Sequence, residues 1–283
     1  MPTYNTPTPI DLAINVQVGR IDVIASDRAD TIVTVTPSSS TKAIDRRGVE
    51  QTKITFADER LSIIGPRPRI SWIGSGPYES VDVKVELPSG SRLTAELAVG
   101  NVRTVGRLGA TRIKASTGTA DVDSTGDLWV RAGHGSTTVG TVDGGIDITA
   151  AYGQIKIGTV SGDALLKSSY GGIQIGESGA DLEAKLSYGD LEITKALGSV
   201  TAKTAFGGIQ LDEVSSGSIQ VDSGYGQMII GVKAGVPAWL DLSSKNGHVR
   251  NGLEGESAPK PTEQTVSVRA RAQGGDITIQ RAH

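Results

Sequence analysis

Over the second two thirds of the chain, a glycine followed by alternating apolar and polar residues recurs at a fixed interval. One series, Gly100, Gly118, Gly135, Gly153, Gly171, Gly189, Gly207 and Gly226, has a mean spacing of eighteen residues. A second series, Gly109, Gly126, Gly144, Gly162, Ala180, Gly198 and Gly217, falls midway, so each unit divides into two halves. Each half predicts one short strand. Ile155 and Ile157, Ile173 and Ile175, Leu191 and Ile193, Ile209 and Leu211 form one row of such strands. Leu128 and Val130, Ile146 and Ile148, Val200 and Ala202, Ile219 and Val221 form the other. Alternation turns each pair to a single face. The pattern therefore predicts an all-β protein, a parallel β-solenoid with two short strands per coil, its coils stacked at ~4.8 Å around one apolar seam. A triangular left-handed helix would need an apolar residue about every six positions, which this chain does not show. The calcium-binding nonapeptide roll needs Gly-Gly-x-Gly-x-Asp turns, whereas Gly171-Gly172-Ile173-Gln174-Ile175 stands here, so no calcium is expected.

The two ends depart from this period. Before residue 96 the alternating stretches Ile21 to Ala25, Thr31 to Thr36, Thr52 to Phe56, Leu61 to Ile64 and Val81 to Leu87 predict an antiparallel β cap. Ser38 to Gly48, polar and charged, and Gly65 to Pro77, with Pro66, Pro68, Gly74 and Gly76, read as loops, the second tucked down by Trp72 and Ile73. After Gly231 the register slips, Gly252 to Glu263 reads as a loop, and Val266 to Arg271 with Gly275 to Gln280 close the structure. The expected organisation is a single domain over 1–283: a cap region over 1–96, regular coils over 97–232, and irregular last coils with a C-terminal cap over 233–283. Irregular ends keep exposed strand edges from templating association.

Composition narrows the function classes. Gly supplies 37 of 283 residues and aromatics only 4%, so a thin aliphatic seam is the core this chain can build. A net charge of −3 gives the whole molecule no attraction for nucleic acid or an anionic membrane, and disfavours a nucleic-acid partner. With no cysteine there is no disulfide, thiolate metal site or Cys nucleophile. The N-terminus Met1 to Pro9 has no basic n-region, the apolar stretch that follows is broken by Asp11 and Asn15, and no apolar run approaches the ~20 residues of a bilayer span. A cytoplasmic location is expected, with non-classical export open.

Gly19-Arg20-Ile21-Asp22-Val23-Ile24-Ala25-Ser26-Asp27-Arg28, Val85-Glu86-Leu87-Pro88-Ser89-Gly90-Ser91, the internal glycine repeats and Gly274-Gly275-Asp276-Ile277-Thr278-Ile279 together resemble the bacterial putative-adhesin family of β-strand repeat proteins, a domain of unknown function. The resemblance runs nearly end to end and implies a repetitive all-β fold. It carries over no catalytic or ligand motif, and the expectation of no export signal would set the chain apart from the family.

Two repeat columns carry candidate chemistry. Before the turn glycine stand Thr117, His134, Tyr152, Tyr170, Tyr188, Phe206, Tyr225 and Asn246, so five rings form a ladder. It reads either as a stacking platform for sugars or bases or as a corner stack that steadies consecutive turns. Three residues earlier stand Lys114, Arg131, Thr149, Lys167, Lys185, Lys203 and Asp222, a basic stripe that would repel itself unless Asp147 and Glu183 or a polyanion lie over it. The possible ligand face is thus Lys114, Arg131, Lys167, Lys185 and Lys203 with Tyr152, Tyr170, Tyr188, Phe206 and Tyr225, and the partner an unknown protein or an anionic glycan.

An enzymatic reading as a solenoid polysaccharide lyase or hydrolase would need acids clustered with a basic residue on adjacent coils. The candidates Asp121, Asp123, Asp190, Glu192 and Asp212 fall in mixed columns, and Asp190 follows a turn glycine. His134, His248 and His283 suggest neither a metal cluster nor a triad. Gly133-His134-Gly135-Ser136-Thr137-Thr138 lacks the Gly-Lys-Ser/Thr ending of a phosphate loop, and no nucleophile elbow, dinucleotide fingerprint or capped helix is apparent. No cofactor and no catalytic residue are expected. The sequence points to a non-catalytic binding protein, or alternatively to a scaffold that self-associates through its ends or faces.

Overall fold

The structure, a computed structural model, describes residues 2–66, 70–71, 74–75, 79–253 and 265–282. The chain divides into two compact units, residues 1–141 and 142–283.

Unit 1 opens with β1 (Thr3–Asn5), β2 (Asp11–Ser26), β3 (Asp30–Pro37), α1 (Ala43–Gln51), β4 (Lys53–Ala57) and β5 (Arg60–Ile64). A two-strand ribbon, β6 (Ile70–Ser71) and β7 (Gly74–Ser75), precedes β8 (Ser80–Pro88) and β9 (Arg92–Val105). The five alternating stretches expected here are all strands. Antiparallel pairing joins β1 to β3, β3 to β8 and β4 to β5. The cap is nevertheless mixed, because β2 runs parallel to β5, β8 and β9 and lies between β9 on one side and β5 with β8 on the other. Parallel coiling therefore begins at Asp11.

The segment Ser38 to Gly48, expected to be loop, is partly helical. α1 has few apolar residues and no side-chain N-cap, which hides it in the sequence. Tertiary contacts hold it: the buried Asp45 carboxylate accepts from the Ser80 N–H at 3.1 Å, and Arg47 reaches the buried Glu79 at 3.1 Å. At Gly48 a Cβ would stand 2.8 Å from that of Glu79, so glycine lets the helix lie close against the chain entering β8. Trp72, Ile73 and most of the Gly252 to Glu263 loop lie outside the described residues.

The coils follow with two strands each. Unit 1 adds β10 (Thr111–Thr117), β11 (Ala120–Thr125), β12 (Leu128–His134) and β13 (Thr137–Val142). Unit 2 holds β14 (Ile146–Tyr152), β15 (Ile155–Val160), β16 (Ala164–Tyr170), β17 (Ile173–Ser178), β18 (Leu182–Tyr188) and β19 (Leu191–Ala196). It continues with β20 (Val200–Phe206), β21 (Ile209–Val214), β22 (Gly217–Tyr225) and β23 (Met228–Val232), then β24 (Ala238–Ser244), β25 (Val249–Asn251), β26 (Val266–Gly274) and β27 (Ile277–Arg281). Pairing is parallel and in register with the sequence columns: Ile155 meets Ile173, Ile173 meets Leu191, Leu191 meets Ile209, and in the other row Val200 meets Ile219. These inward residues are almost wholly buried, giving the narrow aliphatic seam that the composition requires.

The last two strands do not close the structure, as the sequence order suggests. β26 pairs with β22 on one side and β24 on the other, and β27 lies between β23 and β25 in the same way. The final coil in sequence is thus the penultimate one in space. Interchangeable coil periodicity gives no order of stacking, so only long-range pairing places it.

Candidate functional site

The corner between the two strand rows is built from the glycine column. Gly153, Gly171, Gly189, Gly207, Gly226 and Gly275 all have positive φ. At Gly171, with φ of +142°, a Cβ would stand 2.0 Å from the Gly153 carbonyl oxygen, which no side chain allows. Hydroxyls from inside the corner tie the same carbonyls: Ser168 donates to Gly171 at 2.9 Å, Thr204 to Gly189 at 3.3 Å, Ser223 to Gly207 at 3.2 Å and Ser244 to Gly275 at 2.8 Å. Consecutive corners are therefore held in one geometry.

That geometry sets the ring ladder of unit 2. Tyr152, Tyr170 and Tyr188 follow one another with centroids 4.9 Å apart and planes within 4° of parallel. Phe206 continues the stack at 5.0 Å and Tyr225 at 5.4 Å, tilted by 13°. The first four rings are 46–47% exposed and Tyr225 61%. Each inner ring has neighbours on both faces, so the surface presents ring edges rather than a flat platform. Beyond Tyr225 the register position is Gly274, not Asn246, because of the inserted coil. A Cβ there would lie 3.0 Å from Tyr225 Cδ1, so the last ring leans over a residue with no side chain and its outer face ends the stack. Thr117 and His134 occupy the corresponding column in unit 1.

The basic column is equally in register. Lys114 pairs with Arg131 in unit 1; in unit 2 Thr149, Lys167, Lys185, Lys203 and Asp222 succeed one another. Much of its charge is balanced within the protein. Glu183 bonds Lys185, and its carboxyl is held below the usual range by that hydrogen bond first and by the charges of Lys185, Lys167 and Lys203. Lys203 lies 3.3 Å from Asp222. The inserted strand then adds Arg271 beside Asp222, with Arg271 bonded to Asp241 at 2.5 Å. That hydrogen bond also lowers the Asp241 carboxyl, assisted by Arg269.

Lys185, Lys203, Arg271 and Lys245 line an open groove of about 740 Å³, with Asp222 among them and Ala205, Gly224 and Gln273 also contributing. Sequence columns show Lys185, Lys203 and Asp222 but not Arg271 or Lys245, which reach the groove through the displaced stacking order. In unit 1 the sequence reading also passes over Trp129, whose ring lies under both guanidinium groups of Arg112 and Arg131 at 4.6 and 4.3 Å. Its outward position, one repeat on from Arg112 and two residues before Arg131, was the available signal.

The candidate acids are spread over both units. Asp121 is in register with Arg103, and with Asp123 they line a shallow groove in unit 1, where Asp123 accepts from the Gly106 N–H at 2.8 Å. In unit 2 Asp190 caps the next coil by accepting from the Gly208 N–H at 2.6 Å, as a turn residue does. Glu192 and Asp212 accept from Gln174 and Gln210 at 2.8 and 2.7 Å. Among the described residues no group of three or more His, Cys, Asp or Glu side chains is placed to hold a metal ion. No helix among them is long and apolar enough to cross a membrane.

The family model described as Toastrack DUF4097 matches residues 10–280, in keeping with the near end-to-end resemblance read from the sequence. Solved structures similar to the chain include a putative adhesin from Parabacteroides merdae, at 11% identity and a TM-score of 0.39, over 98% of this chain and 94% of that one. A putative adhesin from Bacteroides fragilis shows 10% identity and a TM-score of 0.33 over 98% and 95%. A putative cell adhesion protein from Clostridium sporogenes shows 12% identity and a TM-score of 0.27 over 99% and 98%. No curated protein matches the chain.

Proposed function

The chain belongs to the Toastrack DUF4097 family, and from that premise we propose that it is a non-catalytic, adhesin-like binding protein whose unit 2 takes an extended anionic polymer, an acidic glycan in particular. The observation that carries this reading is the fixed row of half-exposed rings running alongside a groove lined by Lys185, Lys203, Lys245 and Arg271. An aromatic edge bears the positive end of the ring quadrupole, and four of the five rings add a phenol hydroxyl. Both therefore favour acceptor oxygens, at a repeat near 4.9 Å set by the coils. A polymer laid across successive coils meets the same donors at each step. Such repetition gains affinity through many weak, simultaneous contacts.

The test is binding of polygalacturonate, with neutral dextran as control, to the intact protein and to the Lys167→Glu/Lys185→Glu/Lys203→Glu variant. Salt-sensitive binding of polygalacturonate alone, lost in the variant while its far-UV circular dichroism is unchanged, is the expected result. Equal binding of both polymers, or affinity unaltered by the three reversals, would refute the assignment.

A further inference from the structure

We propose that unit 2 carries a self-association surface, the free edge of β24, and that its occupant is the same edge of a second copy, giving a closed two-fold dimer. The Pro237 carbonyl accepts from the Val266 N–H, and the Lys245 N–H donates to the Ala272 carbonyl, each at 3.0 Å. Parallel pairing alternates between these two bonds, so the odd-numbered residues of β24 turn their N–H and C=O groups to β26. Ala238, Leu240, Leu242 and Ser244 turn theirs to the opposite edge, where no strand lies among the described residues.

The seam is open along this edge too. Leu240 and Leu242 are only half-buried and Val249 is 44% exposed, while their register partners Val268, Ala270 and Ile277 are at most 1% exposed. Trp239, on the outward face of β24, is 68% exposed. An unpaired, apolar edge of this kind templates strand addition. In unit 1 the corresponding edges are covered: β4 lies on β5, β3 on β8, and Tyr4 of β1 meets Phe56 of β4 at 4.8 Å. At β24 no such antiparallel cap lies among the described residues, and a second copy of β24 run antiparallel would supply one.

Pairing β24 with itself must be antiparallel and must oppose even-numbered residues. Centred on Asp241, it sets Asp241 against the partner's Asp241, a like-charge contact. Centred on Leu242, it sets Leu242 against itself, Leu240 against Ser244, Asp241 against Ser243, and Trp239 against the partner's Lys245. That register brings no like charges together and adds a cation–π contact on each side of the axis. A two-fold contact closes on itself, so association stops at the dimer.

The test is sedimentation velocity with the intact protein from high micromolar to low nanomolar concentration. A monomer–dimer equilibrium is expected, weakened roughly tenfold or more by Trp239→Lys, which sets lysine against lysine. Adding Lys245→Glu to that variant should restore dimerisation through the new Lys–Glu pair. A monomer at every concentration, growth beyond the dimer, a dimer indifferent to Trp239→Lys, or failure of the charge-swapped pair to recover would each overturn the proposal. None of these outcomes depends on whether polygalacturonate binds.

Discussion

Tyr170 and Tyr188 stand directly opposite one another on adjacent parallel strands, their ring planes 2° apart and their centroids separated by 4.9 Å. The coil spacing is thus transmitted unchanged to the surface. Each inner ring makes two such contacts, and an aromatic pair contributes about 0.5–1.5 kcal/mol beyond its burial. Tyr188→Ala is expected to cost about 1–3 kcal/mol by urea denaturation, and Tyr225→Ala, at the end of the stack, clearly less. A Tyr170→Ala/Tyr188→Ala double-mutant cycle should give a favourable coupling; additive losses would mean that the rings do not support one another.

The corner glycines separate conformational need from mere smallness. Gly171→Ala places a methyl carbon against the Gly153 carbonyl at a positive φ, and is expected to cost about 3 kcal/mol or more. At the adjacent Gly172 a Cβ would approach the Asp190 carbonyl oxygen at 3.2 Å, a contact a small shift relieves. Gly172→Ala should therefore cost about 1 kcal/mol or less. Thermal melts of the two variants compare them directly, and equal midpoints would contradict the corner geometry.

Glu183 sets a pH dependence on the proposed ligand face. Its carboxyl is lowered first by the Lys185 hydrogen bond, so the folded state favours the charged form. The small stabilisation this gives is present above the unfolded carboxyl pKa, and is lost as pH falls through the lower folded value. Over that acid window Glu183 loses its charge and ceases to balance Lys167, Lys185 and Lys203. Affinity for polygalacturonate per ionised carboxylate should then rise. Glu183→Gln should give the tighter binding already at neutral pH and remove that part of the pH response, measured by titration calorimetry at fixed ionic strength. Weaker binding in Glu183→Gln would show that Glu183 serves the ligand rather than opposing it.

The helix makes a smaller claim. Asp45→Ala leaves the Ser80 N–H without its acceptor beside the buried Glu79, a loss of about 1–3 kcal/mol. Hydrogen exchange should show the loss concentrated in Ala43–Gln51 and the start of β8. Uniform protection would mean that α1 is held by other contacts.

The repeat by itself determined most of this protein. Period-two alternation within an eighteen-residue interval admits two strands per coil, because a one-residue slip would turn every aliphatic residue outward. Hence Ile173 and Leu191, and Lys185 and Lys203, could be placed in register from spacing alone. The same spacing could not order the coils at the ends, since a strand such as Val266–Gly274 fits equally well against any equivalent neighbour. Only the tertiary structure put it between β22 and β24, and with it brought Arg271 to Asp222 and Gly274 to Tyr225. Nor could local pattern find α1, whose hold lies in Asp45, Gly48 and Glu79, contacts formed only once β8 is in place. Periodicity fixes what is local and repeated; the order of equivalent pieces and the caps that break the repeat are decided by long-range contacts.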